Sequence, residues 1–407
     1  MKKLLSILCA AAMLVTLVFS CVSCGGSSVS ADFKIGAILI GDENEGYTYA
    51  HINGIRTAAK ELGMSDDQII WKYTVPEDEK CLDAAIDLVE QGCSVIFSNS
   101  YGHQSHMKQA AQEYPEITFV SMTGDQAATS GLSNYKNAFT GVYQSRYVAG
   151  VVAGLKLAEL IEAGKLTAAN YNGDNIKLGY VGAYPYAEVV SGYTAYYLGV
   201  KSVVENVTMQ VTYTNSWFDI IAEGTVAEAL AADGCVIISQ HADSTGAPAA
   251  VQALQDKGQV IYCVGYNVDM LSVAPNAALT SPTNNWAVYY KYAIEAASKG
   301  EDIAVNWAKG FEADAVGITA LGTACAAGTQ EKVDEVIAGL KDGYIKVFDT
   351  SKFTVGGATL TEYLADVDGD FQGETNAIWD GYFHESEMRS APYFDIRIDG
   401  IVETNNN

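Results

Sequence analysis

Positive charge is scarce in this sequence. The 407 residues include 24 Lys and Arg against 49 Asp and Glu, which gives a formal net charge of −25 at pH 7. Nucleic acids and anionic lipid surfaces repel a protein of this sign, because both are polyanions. The charge balance therefore argues against both as partners.

Cysteine is also sparse in the part of the chain that follows residue 24. The spacing is wide, no CxxC pair occurs, and the number is odd: Cys81, Cys93, Cys235, Cys263 and Cys325. Cys235 and Cys263 begin or lie inside apolar segments, where cysteine commonly serves as a small hydrophobic residue. We predict no disulfide framework, no metal site and no cofactor.

Motifs for catalysis and for phosphate binding are missing as well. The turn after the first predicted strand reads GDENEG (residues 41–46), which departs from GxGxxG and carries carboxylates that repel a pyrophosphate. The sequence contains neither a Walker loop nor HExxH. We therefore predict that the protein is not an enzyme.

One acidic segment near the C-terminus has the spacing of a calcium loop. Asp366, Asp368 and Asp370 alternate as in an EF-hand, but Phe371 occupies the position that requires Gly. Ala377 replaces the closing Glu. These departures favour a surface turn.

The N-terminus resembles a bacterial lipoprotein signal. Lys2 and Lys3 precede an uncharged apolar run over residues 4–20, and a Gly/Ser tract follows Cys24. We predict a signal peptide over residues 1–24 that ends at the lipidated Cys24, with residues 25–32 as a tether. Cys21 is the alternative acylation site, and an ordinary secretory signal is the alternative interpretation. Lipidation at this position places the protein on the outer face of the cell membrane.

From Phe33 onward, short apolar runs alternate with amphipathic segments. Continuous apolar strands separated by helices indicate parallel βαβ units. The pattern restarts after a long helix predicted over residues 146–163. Because the chain exceeds the length that one hydrophobic core usually covers, we predict an α/β protein with two Rossmann-like lobes.

Aromatic residues are frequent in the loops that follow the predicted strands. Ligands of parallel α/β sheets bind beyond the carboxyl ends of the strands, so these loops are the candidate site. Aromatic faces with polar groups at the edge suit a planar neutral ligand. The rings of Tyr47, Tyr101, Tyr186, Trp217 and Phe218 are candidates, and packing of the lobe interface is the alternative role for each.

Five blocks of sequence carry a resemblance to a known family. They are FTGVYQSRYVAG (139–150), GYVGAYPYAEVVSG (179–192), YTNSWFDIIAE (213–223), GYNVDMLSVAP (265–275) and LTSPTNNWAVYY (279–290). They are similar to the basic membrane protein family, which comprises substrate-binding lipoproteins of ABC transporters. The resemblance implies the type I periplasmic-binding fold.

In that fold the chain crosses between the lobes three times, so each lobe is discontinuous. The resemblance therefore implies that residues 33–143 and 281–308 form lobe 1. It implies that residues 144–280 and 309–407 form lobe 2, which includes a C-terminal extension.

The resemblance also implies capture of a purine. Tyr47 corresponds to the aromatic residue that stacks on the base, and Thr123 or Asp125 lies near the position of the carboxylate that reads the base edge. Asn267 and Asn284 stand where nucleoside-binding members hold the ribose with Asp and Lys. Two amides hold a diol less firmly than a charged pair.

We therefore expect a nucleobase such as adenine, delivered by a monomeric receptor to an ABC permease. The alternatives are a purine nucleoside receptor, a type I sugar receptor and a sensor that does not transport. The predicted ligand-binding residues are Glu45, Tyr47, Tyr101, Thr123, Tyr186, Trp217, Phe218, His241, Asp243, Asn267, Asp269 and Asn284.

Overall fold

The computed structural model describes residues 29–405 and arranges most of its strands in two parallel sheets. The predicted signal peptide and the predicted lipidation site at Cys24 lie outside the described residues. Within residues 29–405, no helix is long and apolar enough to cross a membrane.

The strands are, in chain order, β1 (Lys34–Ile38), β2 (Ile69–Lys72), β3 (Cys93–Ser98), β4 (Thr118–Ser121), β5 (Tyr135–Thr140), β6 (Tyr171–Asn172), β7 (Asn175–Gly182), β8 (Val207–Tyr213), β9 (Ile237–Gln240), β10 (Tyr262–Val264), β11 (Pro282–Asn284), β12 (Asn306–Lys309), β13 (Val316–Ile318), β14 (Leu364–Ala365), β15 (Thr375–Asn376), β16 (Ile378–Trp379), β17 (Tyr382–Phe383) and β18 (Ile401–Glu403).

The helices are α1 (Gly46–Glu61), α2 (Glu79–Glu90), α3 (Gln104–Glu113), α4 (Val142–Glu162), α5 (Ala187–Lys201), α6 (Ile220–Ala232), α7 (Gly246–Asp256), α8 (Trp286–Ser298) and α9 (Thr329–Lys341). Short 3₁₀ turns occur between them, including Tyr101–His103 directly before α3.

Lobe 1 is built around a sheet with the strand order β12-β5-β4-β3-β1-β2, in which every pair is parallel. Lobe 2 is built around a sheet with the order β10-β9-β7-β8-β18, also parallel, with β6 added antiparallel to β7. Their strands are largely buried, as expected for parallel sheets that helices cover on both faces. The predicted α/β fold class is confirmed.

Three connections join the lobes. The chain leaves lobe 1 after β5, returns through β11, and leaves again after β12 through β13. β11 and β13 pair antiparallel, with Asn284 opposite Val316, and so bind two of the three connections to each other. This arrangement is the three-crossover hinge that the sequence predicted.

Two glycines allow the long helix α4 to lie directly against α5. A Cβ on Gly150 would stand 2.1 Å from the carbonyl oxygen of Tyr196, and a Cβ on Gly199 would stand 2.1 Å from that of Tyr147. Any side chain at either position would force the helices apart. The sequence block that contains Gly150 is therefore constrained by packing within lobe 2.

The C-terminal segment, residues 353–405, packs onto lobe 2. It forms two short hairpins, β14–β15 and β16–β17, and ends in β18, which pairs with β8 at the edge of the sheet. Phe353 and Phe394 are buried in the lobe 2 core.

The acidic segment at residues 366–374 forms a turn between the two strands of the first hairpin. Phe371 adopts the left-handed conformation, with φ of 65°, and is largely exposed. Carboxylate oxygens of Asp366, Asp368, Asp370 and Glu374 lie within 4.8 Å of one another.

Candidate ligand-binding site

A cavity of about 480 Å³ lies between the carboxyl ends of the two sheets. Lobe 1 lines it with residues that follow β1, β2, β3 and β4, and lobe 2 lines it with residues that follow β7, β8, β9 and β10. The lining residues are Ile40, Gly41, Asp42, Asn44, Glu45, Tyr47, Thr74, Glu77, Asn99, Ser100, Tyr101, Thr123, Glu188, Trp217, Phe218, Asp243 and Tyr266. This volume suits a small organic molecule.

Seven of the predicted ligand-binding residues line this cavity. They are Glu45, Tyr47, Tyr101, Thr123, Trp217, Phe218 and Asp243. The first four belong to lobe 1 and the last three to lobe 2, so the aromatic residues face the cavity from both sides. The structure thus brings Tyr47 and Trp217 to one shared cavity.

Tyr47 is held rigidly in the wall of the cavity. Its hydroxyl donates to the carbonyl oxygen of Asn99 at 2.6 Å, and its ring packs edge-on against His51 with the centroids 4.5 Å apart. The backbone position is fixed because Glu45 caps helix α1: its carboxylate accepts from the amides of Tyr47 and Thr48 at 3.0 Å. The predicted ligand-binding residue Glu45 is therefore also a structural cap.

Trp217 and Phe218 lie on the loop between β8 and α6. Asn215 begins the loop in the left-handed conformation, with φ of 56°. The carbonyl of Trp217 accepts from the amide of Asp243 at 2.8 Å, which links this loop to the loop after β9. The indole ring is tilted against Tyr184, with the centroids 5.5 Å apart, so its orientation is set by neighbouring rings.

The cavity is rich in carboxyl groups. Its lining contains Asp42, Glu45, Glu77, Glu188 and Asp243, and no Lys or Arg of the described chain lines it. Burial raises the pKa of Glu188 to about 7. Burial, with smaller contributions from Glu45, Glu223 and Glu188, raises the pKa of Asp243 well above its usual range. Such a lining disfavours phosphorylated or carboxylated ligands.

A buried arginine supports the cavity wall from behind. The guanidinium carbon of Arg146 lies 3.7 Å from the ring centroid of Tyr266, and its Nη1 donates to the carbonyl oxygen of Gln240 at 2.5 Å. The nearby positive charge of Arg146 partly offsets the effect of burial on the pKa of Glu188. Arg146 therefore stabilises Tyr266 and the Glu188 carboxylate without lining the cavity itself.

His241 lies in the same layer behind the wall. It is fully buried, its ring packs edge-on against Tyr266, and its Nε2 lies 3.4 Å from Oε1 of Glu188. Burial and, to a smaller extent, Arg146 lower the pKa of His241 well below its usual range. The imidazole is therefore neutral near pH 7, and within residues 29–405 its Nε2 has no hydrogen-bond partner.

Asn267 and Asn284 also lie outside the cavity lining. Asn267 donates to Oδ1 of Asp243 at 2.8 Å, and Asn284 donates to Oδ1 of Asn267 at 3.1 Å. Thr140, at the end of β5, donates in turn to Asn284. These side chains form a relay from the hinge to Asp243.

The two remaining predicted residues are also outside the lining. Tyr186 is about half exposed and stacks on Tyr184, with the centroids 5.2 Å apart. The carboxylate of Asp269 accepts from the amide of Leu271 at 2.8 Å and so stabilises its own turn.

Three residues that line the cavity were not among those predicted: Glu188, Asn99 and Tyr266. Glu188 stands in the first turn of α5, directly beyond the loop that holds the predicted residue Tyr186. An acidic residue at the start of an otherwise apolar helix was the available signal.

Comparisons with known proteins agree on one family. The model of the family described as "ABC transporter substrate-binding protein PnrA-like" matches residues 40–352. A protein of Brucella abortus (strain 2308) named purine-binding protein is 31% identical over 267 residues, which cover 65% of this chain and 69% of that protein. A Haloferax volcanii protein, provisionally named an ABC transporter glucose-binding protein, is 30% identical over 239 residues, which cover 58% of this chain and 55% of that protein.

Among solved structures, an ABC transporter solute-binding protein from Aeropyrum pernix K1 superposes with a TM-score of 0.63 at 16% sequence identity. The match covers 78% of this chain and 93% of that one. At this identity the likeness concerns the fold alone.

Two hinged α/β lobes with a cavity between their sheets define a solute-binding protein of the kind that serves ABC transporters. The chain belongs to the PnrA-like family of ABC transporter substrate-binding proteins, which is the basic membrane protein family recognised in the sequence. Proteins of this family are extracytoplasmic and non-enzymatic. The predictions of family and of a function without catalysis are confirmed.

Substitution of Glu188 by Gln is expected to change how stability depends on pH. The folded protein raises the pKa of this carboxyl from 4.5 to about 7, so its contribution to stability is present below pH 4.5 and is lost as the pH rises towards 7. Relative to Glu188→Gln, the wild type should lose on the order of 2 kcal/mol of unfolding free energy across this window. Urea denaturation at about pH 4 and about pH 8 measures the difference.

Glu228→Gln is the matched control, because Glu228 is an exposed helical glutamate in α6. This variant should retain the pH dependence of the wild type. The same pH dependence in Glu188→Gln and in the wild type would contradict the assignment of a perturbed carboxyl to Glu188.

Proposed function

We propose that this protein captures a purine nucleobase such as adenine in the cavity between its lobes and delivers it to an ABC permease. The main observation that supports this proposal is the composition of the cavity wall. Tyr47 and Tyr101 face it from lobe 1, Trp217 and Phe218 face it from lobe 2, and the polar groups between them are uncharged or acidic. A flat ligand without negative charge suits these walls.

The polar groups of the cavity match the edge of a purine base. The hydroxyl oxygen of Thr123 is buried and has no hydrogen-bond partner within residues 29–405. With its pKa near 7, Glu188 is partly protonated at neutral pH, and a neutral carboxyl group both donates and accepts a hydrogen bond. An amino group beside a ring nitrogen, as in adenine, offers the complementary donor and acceptor. The name of the Brucella relative supports a purine ligand.

The hinge relay supports a free base over a nucleoside. Asn267 and Asn284 occupy the positions that resemble the ribose-holding pair of the family, but both side chains are engaged by Asp243, Thr140 and each other. A ribose diol bound at these amides would have to replace those hydrogen bonds. A nucleobase does not require this exchange.

A sugar is the second candidate ligand, because aromatic walls also bind sugars and the Haloferax relative is named for glucose. A pyranose presents hydroxyl groups around its whole edge, so it requires many polar partners. Aromatic rings on both sides of the cavity suit a flat base, and two of the polar lining residues are already engaged, Glu45 in capping α1 and Asp243 with Asn267. Both observations favour the purine.

A panel of ligands tests the proposal on the mature protein. Thermal unfolding is recorded with adenine, hypoxanthine, guanine, adenosine, inosine and glucose. A ligand present at a hundredfold its dissociation constant adds about 2.7 kcal/mol to the unfolding free energy. We expect adenine to raise the midpoint most, and a response to glucose alone would overturn the proposal.

Substitution of Trp217 by Ala should weaken adenine binding more than tenfold. The variant loses a ring that faces the ligand, and a base–aromatic stack contributes at least about 1.4 kcal/mol. Isothermal titration calorimetry provides the measurement. Trp379→Ala is the control, because Trp379 lies on the β16–β17 hairpin away from the cavity lining. If Trp217→Ala and the wild type bind adenine with equal affinity, Trp217 packs against its neighbours and does not stack on the ligand.

We also propose that a lipid on Cys24 anchors the protein to the outer face of the cell membrane. Cys24→Ser should abolish incorporation of labelled palmitate and release the protein from the membrane fraction, whereas Cys21→Ser should change neither. If palmitate labelling persists in Cys24→Ser and is lost in Cys21→Ser, Cys21 is the lipidated residue.

A further inference from the structure

The C-terminal segment, residues 353–405, lies beyond the matched family region and is anchored in lobe 2. The rings of Phe394 and Phe348 stack with their centroids 4.2 Å apart, and β18 extends the lobe 2 sheet. The segment is therefore a fixed part of lobe 2, and a contact that it makes with lobe 1 joins the two lobes outside the hinge.

Arg389 makes such a contact. Its side chain is 7% exposed, and its Nη1 lies 3.4 Å from Oδ2 of Asp125, which follows β4 in lobe 1. Nε donates to the carbonyl oxygen of Ala391 at 3.2 Å, and Nη2 donates to that of Pro392 at 3.0 Å. Nη1 also lies 3.6 Å from Oδ2 of Asp366. The segment thus fixes the guanidinium group and directs its charge at lobe 1.

Asp125 connects this ion pair to the ligand cavity. The oxygen that faces Arg389 also accepts a hydrogen bond from the hydroxyl of Tyr101 at 2.9 Å, and Tyr101 lines the cavity. The amide of Asp125 donates to the side chain of Gln104 at 3.1 Å, which ties the two loops together. Asp125 itself does not line the cavity and is 3% exposed.

The ion pair matters because Asp125 is buried. In the part of the chain that the structure describes, Arg389 is the only cation within salt-bridge distance of Asp125, and Oδ1 of Asp125 has no hydrogen-bond partner. A buried carboxylate that loses its cation is strongly destabilised, so the loop that carries Asp125 is expected to rearrange. Such a rearrangement displaces the acceptor that holds the hydroxyl of Tyr101.

We propose that Arg389 is a positioning residue of the ligand site. Through Asp125 it holds Tyr101 at the cavity wall, so that the C-terminal segment of lobe 2 helps to position a wall residue of lobe 1. The effect of Arg389 on ligand affinity rests on the proposed function. Its effect on how firmly Tyr101 is held does not.

A double-mutant cycle on the full mature chain tests the link, with adenine as the probe. Arg389→Gln and Tyr101→Phe should each weaken adenine binding about five- to tenfold, mainly through faster dissociation in stopped-flow experiments. The double variant should bind about as well as the weaker single variant, because both changes break one chain of contacts. Unchanged affinity in Arg389→Gln, or effects that multiply in the double variant, would overturn the proposal.

Arg397→Gln is the matched control. Arg397 belongs to the same segment but forms ion pairs with Asp395 and Glu403 within it, and outside the segment its Nη2 donates only to lobe 2, to the carbonyl oxygen of Pro185 at 3.4 Å. It should leave adenine affinity unchanged.

Hydrogen exchange without any ligand separates this proposal from the proposed function. Arg389→Gln should accelerate amide exchange in residues 99–104 and 123–126 by about fivefold or more, whereas Arg397→Gln should not. If adenine does not bind and exchange still rises, the proposed function fails and the positioning role stands. If adenine binds and neither exchange nor affinity responds to Arg389→Gln, the positioning role fails.

If Arg389→Gln does not fold, Asp125→Asn provides an alternative test of the ion pair. Asn retains the size of the side chain and an acceptor oxygen for Tyr101 but removes the charge that faces Arg389. The same rise in exchange is expected, and exchange equal to that of the wild type would overturn the proposal.

Discussion

Asp243 is buried and, within residues 29–405, has no cation in salt-bridge distance, and the arrangement of the site depends on this constraint. A buried carboxyl group requires hydrogen-bond partners, and here Asn267 supplies one. Asn267 is itself held by Asn284 in β11, which contacts Thr140 at the end of β5. The hinge and the cavity are thus connected by a single chain of polar contacts.

This connection gives the two asparagines a physical role that differs from direct ligand contact. They lie between the lobe 2 wall and the strands where the chain passes from one lobe to the other. Hydrogen bonds thus link Asp243, in the cavity lining, to Asn284 in β11 and to Thr140 at the end of β5.

Much of the fold was predictable because it is expressed in local patterns. Short apolar runs followed by amphipathic segments predicted the parallel strands and their helices, and the rule that ligands bind at the carboxyl ends of strands selected the loops of Tyr47, Trp217 and Asp243. The family resemblance supplied the three crossings between lobes. The boundaries predicted for the two lobes stay a prediction.

The parts of the site that escaped prediction depend on tertiary contacts. Arg146 occurs in a mostly apolar helix, and only the fold shows that its guanidinium lies over Tyr266. Glu188 was missed because it lies inside the helix that begins at Ala187, whereas the candidates were sought in the loops that follow the strands. Arg389 and Asp125 are 264 positions apart, and no local pattern of sequence relates them.

The place of β18 at the edge of the lobe 2 sheet has a consequence for biosynthesis. Ile401 pairs with Met209 in β8, so a strand from an earlier part of the chain has a neighbour that is synthesised much later. Translation proceeds from the N-terminus, and the sheet of lobe 2 is incomplete until β18 has been made. Until then β8 presents an open edge on which another chain can add, so the synthesis of β18 protects this edge from misassembly.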